Sequence, residues 1–322
     1  MNEVFFRELV DNLLEGVYFV DRDRRITYWN SGAELLTGYG MDEVVGHSCS
    51  EGILRHVTDE GQQLCLHGCP LAATITDGDP REAKVYMHHK NGHRVPVTVR
   101  ARPIRDDAEQ IVGSAEVFTA RSGGVFSDLE GERRTDQSYR DPVSGIGNRL
   151  YAEQHLAASL GSLDSEDSRM GLLFLDVDHF KTVNDNYGHN IGDKVLRMVA
   201  RTLANGLRPG DLPCRWGGEE FIAILPETQE DGTARVAERI RMLVENSWLP
   251  RDDQQIRVTV SIGATVGHRG ESADEVIERA DRLMYASKQN GRNQVHTDSG
   301  PLQRVAEPVL LGNSIPWATP SE

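Results

Sequence analysis

Acids stand in two places where an apolar run would not be expected to tolerate them. The stretch CRWGGEEF, residues 214–221, sets Gly217 and Gly218 directly before Glu219 and Glu220, and the apolar run GLLFL closes on Asp176, with Asp178 two residues on. The apolar flanks read as strands, so Gly217 and Gly218 are expected to form the tight turn of a hairpin, where missing side chains let a phosphate approach the backbone. Carboxylates beside a triphosphate make chemical sense with a divalent cation between them. Mg²⁺ takes one or two carboxylates plus phosphate oxygens, and Asp176 with Glu219 supplies such a set. Asp178, two positions along a strand, is expected to face the same side as Asp176.

Such a site needs elements to hold it. From residue 141 onward, GLLFLDVD, EFIAILP and VTVSIGATVG read as buried strands, and NIGDKVLRMVARTLANGL and TARVAERIRMLVEN as helices, an interleaved α/β texture over residues 141–296. Residues 1–120 read as α+β: an amphipathic helix, two strands joined by a charged turn in VYFVDRDRRITYWN, short helices, and the strand-like runs AKVYMHH, RVPVTVRARPI and IVGSAEVFTA. Asn91-Gly92 joins the first pair of those runs as a hairpin, giving an antiparallel sheet with small helices. Residues 121–140, glycine-rich and then charged, read as a linker with room for some helix, and residues 297–322, with several prolines and glycines, as a loosely ordered tail.

At 322 residues the chain has room for about two domains. With 38% apolar and 26% charged residues it is of folded, globular type, and no apolar run approaches the ~18 residues that span a bilayer. The start MNEVFFRELVDNLL lacks the features of a secretory signal, so a cytoplasmic address and no membrane partner are expected. A net charge of −15 disfavours nucleic acid as a partner and leaves no basic channel for a polymerase template. Four cysteines do not make a disulfide framework. Cys214 is expected in the core. Cys49, Cys65 and Cys69, with His47, His56 and His67, could hold a metal, an iron–sulfur cluster or haem, or act as a redox pair, against the plainer role of buried or surface residues.

Several spaced motifs occur in order: DPVSGIGNR, FLDVDHFKTVNDNYGHNIGD, GGEEF, VSIGA and ADRLMYASKQNGRN. Together they resemble a GGDEF domain, the catalytic unit of diguanylate cyclases, and WNSGAELLTGY within its strand pattern resembles a PAS sensor domain over residues 5–120. Val143, Ser144 and Gly147 depart from the family's usual leucine, threonine and proline. The resemblance implies a central mixed sheet flanked by helices, of the cyclase and palm type. It also implies a reaction in which two GTP molecules, one on each domain of a homodimer, become cyclic di-GMP with release of pyrophosphate.

By the same resemblance, Asp176, the Val177 carbonyl and Glu219 would hold Mg²⁺ or Mn²⁺, and either Glu219 or Glu220 would help deprotonate the attacking hydroxyl. Asn184 and Asp193 would read guanine, whose N1–H and N2–H suit a carboxylate and whose O6 suits an amide. Lys181, Gly217, Gly218, Lys288 and Arg292 would receive the phosphates, Lys288 and Arg292 standing one turn apart if the last helix reaches both. His179 and His189 are expected to serve packing or loop structure. Arg208 and Asp211 match an RxxD product-inhibition site, with Arg235 and Arg239 as secondary arginines. The rival reading is a catalytically silent GGDEF module that binds GTP or cyclic di-GMP as a receptor.

Overall fold

The computed structural model describes residues 3–121, 137–251 and 254–302, in two compact units that divide after Arg121. The expected linker therefore lies largely, and the expected tail mostly, outside the described residues.

The first unit is an antiparallel five-stranded sheet in the order β2-β1-β5-β4-β3, built from β1 (Gly16–Asp21), β2 (Ile26–Trp29), β3 (Arg81–His88), β4 (Arg94–Arg105) and β5 (Ile111–Ala120). Helices α1 (Glu3–Asp11), α2 (Ser31–Thr37), α3 (Met41–Val44) and α4 (Pro70–Asp77) accompany it. The core is formed by inward residues such as Tyr18, Trp29, Val97, Val99 and Phe118. Asn30 is a buried polar hub: its Oδ1 accepts from Val17 N at 2.7 Å and caps α2 through Ala33 N at 2.8 Å, while its amide donates to the carbonyls of Val10 and Glu15.

The second unit is a six-stranded mixed sheet in the order β13-β12-β11-β6-β8-β7. Its central strands are β6 (Met170–Val177), β8 (Glu220–Leu225) and β11 (Val260–Gly267), with β7 (Leu212–Gly217) at one edge and the short β12 (Val295–Thr297) and β13 (Gly300–Pro301) at the other; a separate hairpin comprises β9 (Leu249–Arg251) and β10 (Gln254–Ile256). The pairs β6–β8 and β6–β11 are antiparallel, whereas β11–β12 is parallel. The sheet runs on to Pro301, past the domain end expected at residue 296, because a turn closed by Thr297 Oγ1 on Gly300 O at 3.0 Å brings the chain back to pair.

Helices cover both faces, and strand alternation decides what each face carries. Leu173, Leu175 and Val177 of β6 join the core beneath α7 (His189–Asn205) and α8 (Glu230–Glu245). Met170, Leu172 and Phe174 join the core beneath α5 (Arg149–Gly161) and α9 (Ala273–Gln289). Asp176 continues this second series. Helix α9 comes so close to β11 that a Cβ on Gly263 would stand 2.0 Å from the Ala280 carbonyl oxygen. A capping box at Ser272 and Glu275 starts this helix. The remaining helix, α6 (Phe180–Tyr187), follows β6 directly and turns into α7 at Gly188.

Candidate active site

The strand register sets the acids side by side. Asp176 of β6 pairs across the ladder with Glu220 of β8, and in an antiparallel sheet such partners share a face. Glu219 lies one residue earlier, in the turn, and its carbonyl accepts from Val177 N at 3.2 Å. The turn differs from expectation by one position. Gly217 is the last residue of β7 and pairs with Glu220, so the two-residue loop is Gly218-Glu219, with Gly218 at φ 46. A Cβ on Gly218 would meet nothing within 4 Å, and one on Gly217 only a Glu220 oxygen at 4.0 Å, so the backbone here faces open space.

The closed packing of α9 on Gly263 carries Lys288, in the last turn of that helix, to the same face. Its Nζ lies 2.7 Å from Asp176 Oδ2. Asp176 is only 5% exposed, and burial pushes its carboxyl up to about 6; Lys288 opposes this, while the charges of Glu219 and Glu220 add to it. Glu220 is also raised, by burial first and then by Asp281, with Lys288 and Arg149 opposing. This is a crowd of hard oxygen donors with excess negative charge, the donor chemistry that suits a divalent cation sharing phosphate oxygens. Among the described residues no three His, Cys, Asp or Glu side chains form a complete cage for an ion.

One expectation about this site needs correction. Helix α9 ends at Gln289, and Arg292 lies beyond it at φ 66, so Lys288 and Arg292 are not successive-turn neighbours on one helix. The cause is Gly291, whose φ of 108 ends the helical path. Asp178 follows the end of β6 and is engaged structurally: it accepts from Thr259 Oγ1 at 2.6 Å, Ser261 Oγ at 2.7 Å and Asn293 N at 3.0 Å.

Asn184 lies on α6 and Asp193 is the fifth residue of α7. Asn184 Oδ1 is buried without a hydrogen-bond partner among the described residues, and a Cβ on Gly192 would stand 2.0 Å from it. Lys181 is exposed on α6. His179, at φ 58, is the N-cap of α6, and His189 opens α7; both are exposed.

The sequence reading missed Arg215 and Asp141. Arg215 Nε and Nη2 donate to the Gly218 carbonyl at 3.0 and 2.6 Å, and its Nη1 reaches Asp141 Oδ1 at 3.0 Å. Ser144 donates to the same Asp141 oxygen through both N and Oγ at 2.7 Å, so the serine keeps the hydroxyl this junction uses. Gly147 bridges to Cys214, and a Cβ there would lie 2.7 Å from the Cys214 sulfur. The departures at the start of the domain thus fit their surroundings. An arginine inside an otherwise apolar strand was the available signal.

On the far side of β7, Arg208 Nε meets Asp211 Oδ1 at 3.1 Å, and its Nη2 donates to Pro226 O at 2.6 Å and Thr228 Oγ1 at 3.0 Å. Asp211 is 2% exposed; burial raises its carboxyl, opposed by Arg208 and Arg239. Arg239 donates to Gly206 O at 2.7 Å, and Arg235, one turn earlier, is exposed. Arg208, Asp211 and Arg239 are therefore brought together.

In the first unit, Cys49, Cys65 and Cys69 are free thiols within electrostatic reach of one another and of Glu116. Burial raises all three, Cys65 to about 12. His56 is buried among them, with its N donating to Cys65 Sγ at 3.4 Å, whereas His47 and His67 are exposed. Glu116 accepts from Tyr18 Oη at 3.0 Å. His56 Nε2 lies 3.7 Å from Glu116 Oε1, yet burial pushes Glu116 up to about 7 and His56 down to about 4, so between those values the contact joins two neutral groups. Cys214 is fully buried in the core, as expected.

The family model "Diguanylate cyclase, GGDEF domain" matches residues 138–294. Residues 138–294 form a GGDEF domain. A PAS domain model matches residues 14–119, so this GGDEF protein carries a PAS domain in its first unit. Among curated relatives, the response regulator PleD of Caulobacter vibrioides is 41% identical over 159 residues, covering 48% of this chain and 35% of PleD. Diguanylate cyclase DgcP of Pseudomonas aeruginosa is 30% identical over 282 residues, covering 85% of this chain and 42% of DgcP. The chain thus spans less than half the length of either relative. Among solved structures, the GGDEF domain of DgcB from Caulobacter crescentus in complex with cyclic di-GMP has 35% identity and a TM-score of 0.48, covering 51% of this chain and 94% of that one.

Proposed function

We propose that this protein is a diguanylate cyclase: two GTP molecules, one bound by each GGDEF domain of a homodimer, are joined into cyclic di-GMP with release of two pyrophosphates. The observation that carries the reading is the pairing of Asp176 with Glu220 on adjacent strands, beside an open glycine turn, with Lys288 delivered to the same face. On this reading residues 1–120 would be the PAS sensor and 121–140 the linker, and the cyclase core would run from 141 through the short closing strands to Pro301, with the tail beyond.

Asp176, the Val177 carbonyl and Glu219 would hold Mg²⁺ or Mn²⁺, which would supply charge neutralisation at the phosphates. Gly217 and Gly218 leave their backbone open to the phosphate tail, and Lys288, Arg292 and Lys181 offer it positive charge. Glu219 or Glu220 would help deprotonate the attacking hydroxyl, and at Glu220 burial and then Asp281 raise the carboxyl's proton affinity. The carboxylate of Asp193 suits the N–H donors of guanine, and the amide of Asn184 suits its O6. Arg208, Asp211 and Arg239, with Arg235 nearby, form the product-inhibition site, and the PAS domain controls the meeting of the two catalytic domains.

Purified protein freed of bound nucleotide, incubated with GTP and Mg²⁺, is expected to release cyclic di-GMP, and Glu220→Ala and Asp176→Asn to lose roughly 10²-fold or more of that rate. Cyclic di-GMP binding with no turnover in the wild type would replace this reading with that of a silent receptor.

A further inference from the structure

Just past α9 the backbone passes through three successive left-handed residues, Gly291 at φ 108, Arg292 at φ 66 and Asn293 at φ 47. Glycine adopts such angles freely, but side-chain-bearing residues do so at a cost and persist there only where the surroundings hold them. Here the surroundings hold Asn293 by its backbone N–H and by both ends of its side-chain amide. Its backbone N–H donates to Asp178 Oδ2 at 3.0 Å, its Oδ1 accepts from Arg241 Nη1 at 2.8 Å, and its Nδ2 donates to Glu245 Oε1 at 2.7 Å.

The groups gripping Asn293 are themselves fixed. Asp178, 4% exposed, is held by Thr259 and Ser261 of the neighbouring chain segment. Arg241, also 4% exposed, is gripped by Glu238 and Glu245. A buried carboxylate and a buried guanidinium are costly to install, and both converge on one asparagine. The residue this arrangement presents is Arg292, which is exposed, and whose guanidinium has no partner among the described residues. Its turn is anchored two residues after Asp176 and four residues after Lys288, the pair that meets at the open glycine turn.

Resting on the cyclase reading, we propose that Asp178, Arg241 and Asn293 are positioning residues: they lock the left-handed turn so that Arg292 is held ready for the phosphate tail of the bound nucleotide. A flexible turn would have to be ordered on each binding event, whereas here the backbone that carries the arginine is ordered in advance, leaving only its side chain to settle. The three residues act through Arg292, not on the substrate.

The test measures binding of a GTP analogue non-cleavable at the α–β bridge, with Mg²⁺, by calorimetry on the full chain, alongside steady-state kinetics and the thermal midpoint. Asn293→Gly keeps the backbone conformation and its N–H while removing the grip of Arg241 and Glu245. It should weaken analogue binding about tenfold and raise KM more than it lowers kcat. Arg292→Ala should do the same, and the double variant should bind no worse than Arg292→Ala, because the two changes remove one interaction. Should Asn293→Gly fail to fold, the near-isosteric Asp178→Asn is read in its place with the same expectations. Analogue binding at the wild-type level in Asn293→Gly or in Arg292→Ala, or additive losses in the double variant, would overturn the proposal and leave the cyclase reading intact. A wild-type protein that binds no analogue would overturn both.

Discussion

A single carboxylate tells most of the chemistry. Asp176 was legible in the sequence because an acid that ends an apolar strand must be paired, hydrated or put to use, and the structure finds it buried, paired with Lys288 and crowded by two other acids. Arg215 was not legible, because its partners, the Gly218 carbonyl and Asp141, are fixed by a strand turn and by a segment 74 positions earlier. At the proposed product site, Arg208→Ala should raise the steady level of product and weaken cyclic di-GMP inhibition by at least about tenfold, since a charged bidentate contact is lost. An inhibition curve superimposable on the wild type's would remove Arg208 from that site.

In the PAS unit Glu116 supplies a prediction of its own. Its folded carboxyl, raised from 4.5 to about 7, keeps a proton that the unfolded chain releases. Its contribution to stability is therefore complete below about pH 4.5 and is lost as pH rises through about 7. His56 runs the other way: depressed to about 4, its contribution is lost as pH falls from 6.5 through that value. Glu116→Gln isolates the first effect. Its stability relative to wild type should climb between pH 5 and 8 by on the order of 3 kcal/mol, followed by denaturant unfolding at each pH. A pH-independent difference would show that Glu116 ionises as an ordinary surface acid.

Elements were easier to foresee than their ends. The strands of the second unit follow apolar runs of the right length, and the helices follow their apolar stripes. What failed was local: the hairpin turn is Gly218-Glu219, not Gly217-Gly218, because the pairing of Gly217 with Glu220 consumes the first glycine. Likewise the last helix stops before Arg292, since the left-handed run beyond it depends on Asp178 and Arg241, which lie far away in sequence. The contact of α9 with β11 yields a sharp expectation. Gly263→Ala would drive a methyl into the helix backbone, and should cost about 1–3 kcal/mol of unfolding free energy together with most GTP turnover, as Lys288 is displaced from Asp176. An alanine variant with wild-type stability and turnover would mean the helix shifts freely.

The whole chain divides as its texture does, an antiparallel α+β unit followed by an interleaved one with a mixed sheet. Composition and periodicity were enough for that division, since each unit buries its own core. The sheet's extension to Pro301 was hidden, because strands of two or three residues carry too little pattern to be read. Two units that each bury their own apolar residues should give two calorimetric unfolding transitions, and Glu116→Gln should move only one of them. Joint movement of both would mean that the units unfold as one.

Lys288, seated on Asp176, is a counter-ion tethered to the chain itself. It lets the empty protein tolerate a buried negative charge without borrowing an ion from solution, so a free metal ion must compete with an ammonium that cannot diffuse away. A nucleotide changes that contest, because its phosphates offer the lysine another anion to move to. On the proposed reading, the same residue would discourage metal loading in the absence of substrate and give way when substrate and metal arrive together.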